Sequence, residues 1–221
     1  MPIEKSSVRR EMRQAVRAMP PSLQAETSAR LACRLEHHFA SAAGPATSLL
    51  IIAGFLPLPG EPDLTEWFAA RAAVGHTLAF PLITGPGIME FRQVTAEALA
   101  ASASLPPPPS RSPQSSELKV GTHGVREPDP ARCPIVADAR IDWVLVPGLA
   151  FAPGGARLGR GAGYYDRWLA AAGPRPLAIG VAFARQILST LPTQPHDRTV
   201  DHIVTEDGWI PGARGVPEGA R

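Results

Sequence analysis

The stretch GARLGRGAGYYDR, residues 155–167, gathers residue types that can hold an anion. Gly155, Gly159, Gly161 and Gly163 stand among Arg157 and Arg160, and Tyr164, Tyr165 and Asp166 follow. Glycine loses more backbone entropy on folding than any other residue, so this density has to serve something the backbone does. A chain without Cβ atoms can approach a ligand closely, and successive N–H groups can turn inward as a nest. Arg157 and Arg160 add planar guanidinium forks suited to phosphate. The same residues also read as a glycine-rich turn that packs a helix tightly on a sheet. The standard phosphate signatures do not fit. A Walker loop needs a Lys followed by Ser or Thr, and GRGAGYY brings its third glycine one place too soon for a dinucleotide fingerprint.

Asp166 lies within one turn of the loop, where a carboxylate either holds Mg2+ against bound phosphate or complements a helix dipole. Further on, HDRTVDHIVTE (196–206) offers His196, Asp197 and Asp201. The acids are too sparse for a Ca2+ loop, and His and Cys too few for zinc. One or two carboxylates plus substrate phosphates is the usual way Mg2+ is held, so the pattern suits a Mg-nucleotide. At the N-terminus, Lys5, Arg9, Arg13 and Arg17 recur every four residues and make a basic stripe; a solvated face is expected for Arg13 and Arg17.

The elements that must position these groups follow from periodicity. Val8, Met12, Val16 and Met19 predict an amphipathic helix over 4–19, and Leu31, Leu35 and Phe39 predict a second after the PPS break. TSLLIIAGF (47–55) is a short unbroken apolar run, the mark of a strand buried on both faces. A helix is expected over 61–75, with Pro62 at its first position and Gly75 closing it. Strands are expected at 77–83, 87–94, 141–151 and 177–183, a helix at 164–173, and a strand and turn at 198–210. Strand–helix alternation predicts an α/β fold with a largely parallel central sheet and helices on both faces. One domain over 1–210 is expected, with a Pro/Ser-rich surface loop at about 103–118 and a flexible tail at 211–221.

A formal charge of +2 is too small to imply a nucleic-acid partner, and no apolar run is long enough to span a bilayer. The basic N-terminal helix is not followed by an apolar core, so no secretory signal is expected. Cys33 and Cys133 lack metal-type spacing and read as buried or half-buried free thiols in a reducing cytoplasm.

Taken together, VPGLAFAPGGARLGRGAGYYDR and HDRTVDHIVTE resemble the signature of the 5-formyltetrahydrofolate cyclo-ligase (5,10-methenyltetrahydrofolate synthetase) family. The resemblance extends to Lys5 and Arg9, to GFLPLPGEPDLTEW and FPLI, and more weakly to HGVREP (123–128). It implies a three-layer fold like that of sugar-phosphate isomerases and CoA transferases. It also implies an ATP- and Mg2+-dependent cyclisation of 5-formyltetrahydrofolate to 5,10-methenyltetrahydrofolate, with release of ADP and phosphate. The formyl oxygen attacks the γ-phosphate of ATP, N10 attacks the activated carbon, and phosphate leaves.

By the same resemblance, Lys5, Arg9, Arg157, Leu158, Gly159, Arg160, Gly161, Ala162, Gly163, Tyr164 and Tyr165 would contact ATP. Leu56 and Glu61, with Arg160, Gly161, Ala162, Gly163 and Tyr164, would contact the folate, and Asp166 and Asp197 would bind Mg2+. Arg157, Arg160, Tyr164 and Tyr165 would be catalytic. Glu61 reads from its position alone as a helix-start acid, His196 as a residue positioning Asp197, and one tyrosine of the pair as a core anchor. Ala162 stands where some members carry lysine and others glycine, and Arg160 where bacterial members often carry an aromatic residue. The partners implied are small molecules only, with neither nucleic acid nor membrane, for a cytoplasmic monomer. The alternatives are a sugar-phosphate isomerase or CoA-transferase-like enzyme, and a nucleotide- or RNA-binding module using the basic helix.

Overall fold

The structure, a computed structural model, describes residues 4–42, 48–103, 117–121, 126–173 and 176–213. Most of the Pro/Ser-rich loop, the HGV of HGVREP and the last eight residues of the tail lie outside them. The chain opens with two helices, α1 (Lys5–Arg17) and α2 (Pro21–Ala42). Next come β1 (Ile51–Ala53), α3 (Thr65–Ala73), the hairpin β2 (Thr77–Gly85) and β3 (Ile88–Gln93), and α4 (Ala96–Ala103). Short strands β4 (Leu118–Val120), β5 (Arg126–Pro128) and β6 (Ile135–Val136) precede β7 (Trp143–Pro147). The small hairpin β8 (Ala150–Ala152) and β9 (Ala156–Leu158) leads to α5 (Tyr164–Ala171), then β10 (Leu177–Val181), β11 (His202–Thr205) and β12 (Gly208–Pro211).

The main sheet has eight strands in the order β12-β11-β10-β7-β1-β2-β3-β6. Its centre, from β11 to β2, is parallel, and the antiparallel strands β12, β3 and β6 lie outside it. Apolar runs make the central strands: Ile52, Val144, Leu145 and Ile179 are fully buried, as strands covered on both faces require. Leu31, Leu35 and Phe39 of α2, Trp67 and Phe68 of α3, and Leu99 of α4 join one core cluster. Trp168 and Leu169 of α5 join another with Val144 and Val146. The α/β expectation, with helices on both faces, is met.

From β1 the chain winds outward to β2 and β3, then returns to place β7 on the other side of β1. Open α/β sheets bind ligands at such a switch point, beyond the carboxyl ends of the strands. Helix α1 covers that end rather than a sheet face. Its Val8 and Met12 pack with Leu149, Ala150 and Leu158, and its Val16 with Met19 and Phe183. Each such side chain stabilises the contact by roughly 1.5–3 kcal/mol when fully buried, enough to hold the basic stripe against the loops.

Several expected boundaries move. Helix α3 starts at Thr65, not Pro62, because Asp63 Oδ1 accepts the Thr65 N–H at 2.9 Å and makes a local turn first. The run 141–151 is two strands. Pro147 and Gly148 end β7, and β8 turns away to pair with β9 in a separate two-stranded sheet. A Cβ at Gly148 would lie 2.7 Å from the Phe151 ring, so the bend needs glycine. Cys133 is buried, but Cys33 is exposed on α2, contrary to expectation. Residues expected in the tail are anchored as far as Ala213: Gly212 and Ala213 donate to the Asp201 and Val200 carbonyls at 3.0 Å. Helix α4 and strands β4 to β6 had no counterpart in the sequence reading.

Candidate active site

Two cavities adjoin at the switch point, and Arg157, Gly159, Gly163 and Asp166 line both. The first, of about 580 Å³, is polar and lined by Lys5 and Arg9 of α1, Gly161, Gln194, His196 and Asp197. The second, of about 450 Å³, is walled by Phe55 and Leu56 after β1, Pro81 and Ile83 of β2, Met89 of β3, and Tyr164 and Tyr165 of α5. Glu61, Arg126, Glu127 and Arg160 give this apolar chamber its polar points. Residues 159–163 form the partition.

Local sequence explains the partition's shape. Gly163 takes φ 70° as the residue preceding α5, a left-handed conformation that starts the helix abruptly after the loop. Gly155, at φ 85°, lies where a Cβ would collide with the Val200 carbonyl, and Val200 N–H donates back to Gly155 O at 2.9 Å. That contact docks the 198–201 segment on the β8–β9 hairpin. The carbonyls of Gly159 and Arg160 accept from Arg9 Nε at 3.0 Å and Arg13 Nη2 at 3.2 Å. Among the described residues, no group accepts a hydrogen bond from the N–H groups of residues 160–163. Free donors at a helix start, with the Gly159 and Arg160 carbonyls already taken, make an anion cradle.

The charges are held by partners on distant segments. Arg157, only 3% exposed in its side chain, donates from Nη2 to Asp166 Oδ1 at 2.8 Å and lies 5.8 Å from the Tyr165 ring centre. Asp166 Oδ1 also accepts the Arg198 N–H at 3.1 Å, which joins the glycine-loop and HDRTVD motifs. Lys5 Nζ donates to Asp197 at 2.6 and 2.7 Å and to Gln194 Oε1 at 3.0 Å. Burial opposes ionisation of Asp197, but the hydrogen bonds from Lys5 and from Gln194 N–H outweigh it and hold the carboxyl below its usual range. In the apolar chamber, Glu61 Oε1 accepts from Arg160 Nε at 2.9 Å and Nη2 at 2.8 Å, while Oε2 takes the Leu58 N–H at 3.0 Å. Burial, then the Glu61 charge, pushes the Tyr165 phenol far above its ordinary range despite Arg157. Arg157 Nε and the Tyr165 hydroxyl are buried with no hydrogen-bond partner among the described residues. Such orphaned donors are costly unless a ligand or water meets them.

The expected site residues therefore divide between the two chambers. Lys5, Arg9, Arg157, Leu158, Gly159, Gly161, Gly163, Asp166 and Asp197 line the polar one. Leu56, Glu61, Arg160, Ala162, Tyr164 and Tyr165 line only the apolar one. Arg13, expected to be solvated, is exposed yet donates to the loop. Asp201 lines neither cavity; its Oδ2 accepts the Ala178 N–H at 2.8 Å at the start of β10. His196 is 74% exposed, with Nε2 3.9 Å from Asp197. Sequence reasoning missed Gln194, Arg126 and Met89, although Arg126 belongs to the HGVREP stretch already singled out.

The fit to a divalent cation is a matter of donor chemistry. Among the described residues no group of three or more His, Cys, Asp or Glu could hold a metal by itself. Mg2+ needs only one or two carboxylates when phosphates complete its shell, and both Asp166 and Asp197 face the polar cavity. Among the described residues, Asp166 Oδ2 accepts no hydrogen bond, and Asp197 Oδ1 accepts one only from Lys5 Nζ. The residues fit Mg-nucleotide.

Comparison with known proteins bears on this arrangement. The model of the 5-formyltetrahydrofolate cyclo-ligase family matches residues 3–206. The chain is 39% identical over 97 residues to the 5-formyltetrahydrofolate cyclo-ligase of Mycolicibacterium smegmatis, covering 44% of this chain and 50% of that one. It is 40% identical over 96 residues to the Saccharomyces cerevisiae cyclo-ligase, covering 41% and 44%. The matched stretches thus span about half the length of these curated relatives. The NMR structure of Aquifex aeolicus 5,10-methenyltetrahydrofolate synthetase superposes with a TM-score of 0.73 at 26% identity, over 99% of this chain and 97% of that one. The synthetase of Mycoplasma pneumoniae, at 17% identity and a TM-score of 0.68 over 92% and 99%, shares the fold.

Proposed function

The chain belongs to the 5-formyltetrahydrofolate cyclo-ligase family, and from that premise we propose that it closes 5-formyltetrahydrofolate to 5,10-methenyltetrahydrofolate at the expense of ATP. The observation that carries the reading is the shared wall: a polar chamber and an apolar chamber meet at Arg157, Gly159, Gly163 and Asp166. A phosphoryl transfer from nucleotide to folate needs two such adjoining sites, whereas a sugar phosphate needs only one. The basic stripe also has work inside the molecule, since Lys5, Arg9 and Arg13 all bond to site segments. That leaves little for RNA.

The triphosphate lies in the polar chamber, its oxygens on the free amides of the loop and on Lys5 and Arg9. The pterin lies in the apolar chamber, and Glu61 accepts from its amino and ring N–H groups once Arg160 swings aside. A formamide oxygen is a poor leaving group; transfer of the γ-phosphoryl group to it turns it into a good one. N10 then attacks the formyl carbon and loses its proton, the C–O bond breaks, and phosphate leaves. Arg157 on the shared wall and the Tyr165 hydroxyl of the apolar chamber, whose Nε–H and O–H have no partner among the described residues, stabilise negative charge on the transferring group. Tyr165 stays protonated, because burial disfavours its phenolate, and so serves as a donor and not as a base. Asp166 and Asp197 would hold Mg2+, which offsets phosphate charge when bound. Small molecules are then its only required partners. Among the described residues no helix is long and apolar enough to cross a membrane.

The test is direct. Purified protein mixed with 5-formyltetrahydrofolate is expected to develop methenyltetrahydrofolate absorbance only when ATP is present. No absorbance with ATP, or an equal signal without it, overturns the proposal.

A further inference from the structure

Arg13 and Arg167 line neither cavity, yet both hold the partition from outside. Arg13 Nη2 donates to the Arg160 carbonyl at 3.2 Å. Arg167, one turn into α5, donates from Nη2 to the Ala162 carbonyl and from Nε to the Gly87 carbonyl at 3.0 Å. Its guanidinium also lies 5.7 Å from the Tyr164 ring centre. In a trans peptide the C=O and N–H of one unit point in opposite directions. Fixing the Arg160 carbonyl therefore fixes the Gly161 N–H, and fixing the Ala162 carbonyl fixes the Gly163 N–H. Both glycines line the polar cavity, and neither N–H has an acceptor among the described residues.

We propose that Arg13 and Arg167 are positioning residues that aim the Gly161 and Gly163 amides at the phosphates of a bound nucleotide. The inference rests on reading the polar cavity as the nucleotide site. Flexible glycine peptides turn readily, and an amide cradle binds anions well only when its donors are aimed beforehand. The two arginines supply that aim from opposite sides, one from α1 and one from α5. Arg167 also makes the β2–β3 turn part of the support through Gly87. That is a task for a planar fork of several donors; a lysine ammonium reaches one carbonyl far better than two.

Calorimetric binding of ATP to the full chain, with KM for ATP and for the folate and a melting curve, tests this on Arg13→Ala, Arg167→Ala and Arg167→Lys. Loss of one oriented donor is expected to weaken ATP binding roughly fivefold in Arg167→Ala and about threefold in Arg13→Ala. KM for ATP should rise in step, the KM for the folate should hold, and the melting temperature should stay put. Arg167→Lys should recover part of the loss. Unchanged ATP affinity in both alanine variants overturns the inference, as does a loss that only follows the melting temperature or strikes both substrates equally. Wild-type protein that binds ATP without folate turnover defeats the cyclo-ligase reading but leaves this inference to be judged on affinity. Wild-type protein that binds no ATP overturns the inference.

Discussion

The two chambers share a wall and differ in what faces it. On the polar side the loop contributes main-chain N–H groups, and the nearby charges come in pairs that an anion can rearrange, Lys5 with Asp197 and Arg157 with Asp166. On the apolar side the same loop contributes Arg160 and Ala162, α5 adds Tyr164 and Tyr165, and the principal charge, Glu61, is neutralised by Arg160. Backbone donors suit a ligand whose charge is spread over many oxygens. Rings and aliphatic walls suit a flat heterocycle, with one carboxylate to orient it. One glycine-rich segment thus divides two chemistries because its backbone serves one chamber and its side chains the other.

Substitutions on the wall should damage both sides, and substitutions off it only one. Arg157→Ala is expected to have the largest effect, because it removes the shared cation and leaves Asp166 half-buried without its partner. Turnover should fall about a hundredfold or more, as when a charge-stabilising donor is lost, and the ATP requirement should rise. Steady-state kinetics with each substrate varied in turn would show it, and unchanged ATP saturation would take Arg157 out of the site. Asp166→Asn keeps an acceptor for Arg157 and so should leave the melting temperature close to wild type. Turnover should fall on the order of tenfold to a hundredfold, with a higher Mg2+ requirement. Wild-type-like Mg2+ titration would remove Asp166 from the cation's shell.

A crossed pair sharpens the comparison further. Lys5→Ala should raise KM for ATP roughly tenfold and spare the folate, while Glu61→Gln should do the reverse. If either substitution moved both constants together, the chambers would not be separate sites. The smallest effect concerns acid. Asp197 is held below its ordinary carboxylate pKa of 3.8, so its pair with Lys5 stabilises the fold fully above that pH. The contribution is lost as pH falls through the depressed value. Lys5→Ala should flatten this part of the acid-unfolding curve, measurable by circular dichroism, without changing stability slopes near neutrality.

How much of this was legible beforehand differs by element. The apolar runs at Ile51–Ala53, Trp143–Pro147 and Leu177–Val181 announce buried strands, and the Val8, Met12, Val16 spacing announces the face of α1. The glycines of 155–163 announce the partition, because composition alone forces the question of what the backbone does there. The β8–β9 hairpin stayed hidden, since Leu149–Ala152 continues the apolar run of β7 and only the Pro147-Gly148 bend separates them. Helix α3 misled through Pro62, whose fixed φ suits a helix start but here precedes an Asp63 turn. Cys33 misled because its type is commonly buried, whereas its place on α2 faces outward. The pairing of Arg160 with Glu61, ninety-nine positions apart, and the outer grip of Arg13 and Arg167 depend on tertiary proximity that spacing does not carry.

The central claim is that the 159–163 loop separates a nucleotide chamber from a folate chamber. A crystal structure with Mg-ATP and 5-formyltetrahydrofolate bound tests it most directly. The account predicts phosphate oxygens within hydrogen-bonding distance of the Gly161 and Gly163 amides, with the pterin across the loop between Leu56 and Glu61. A nucleotide seated in the chamber of Leu56 and Met89, or anywhere away from this loop, would contradict it.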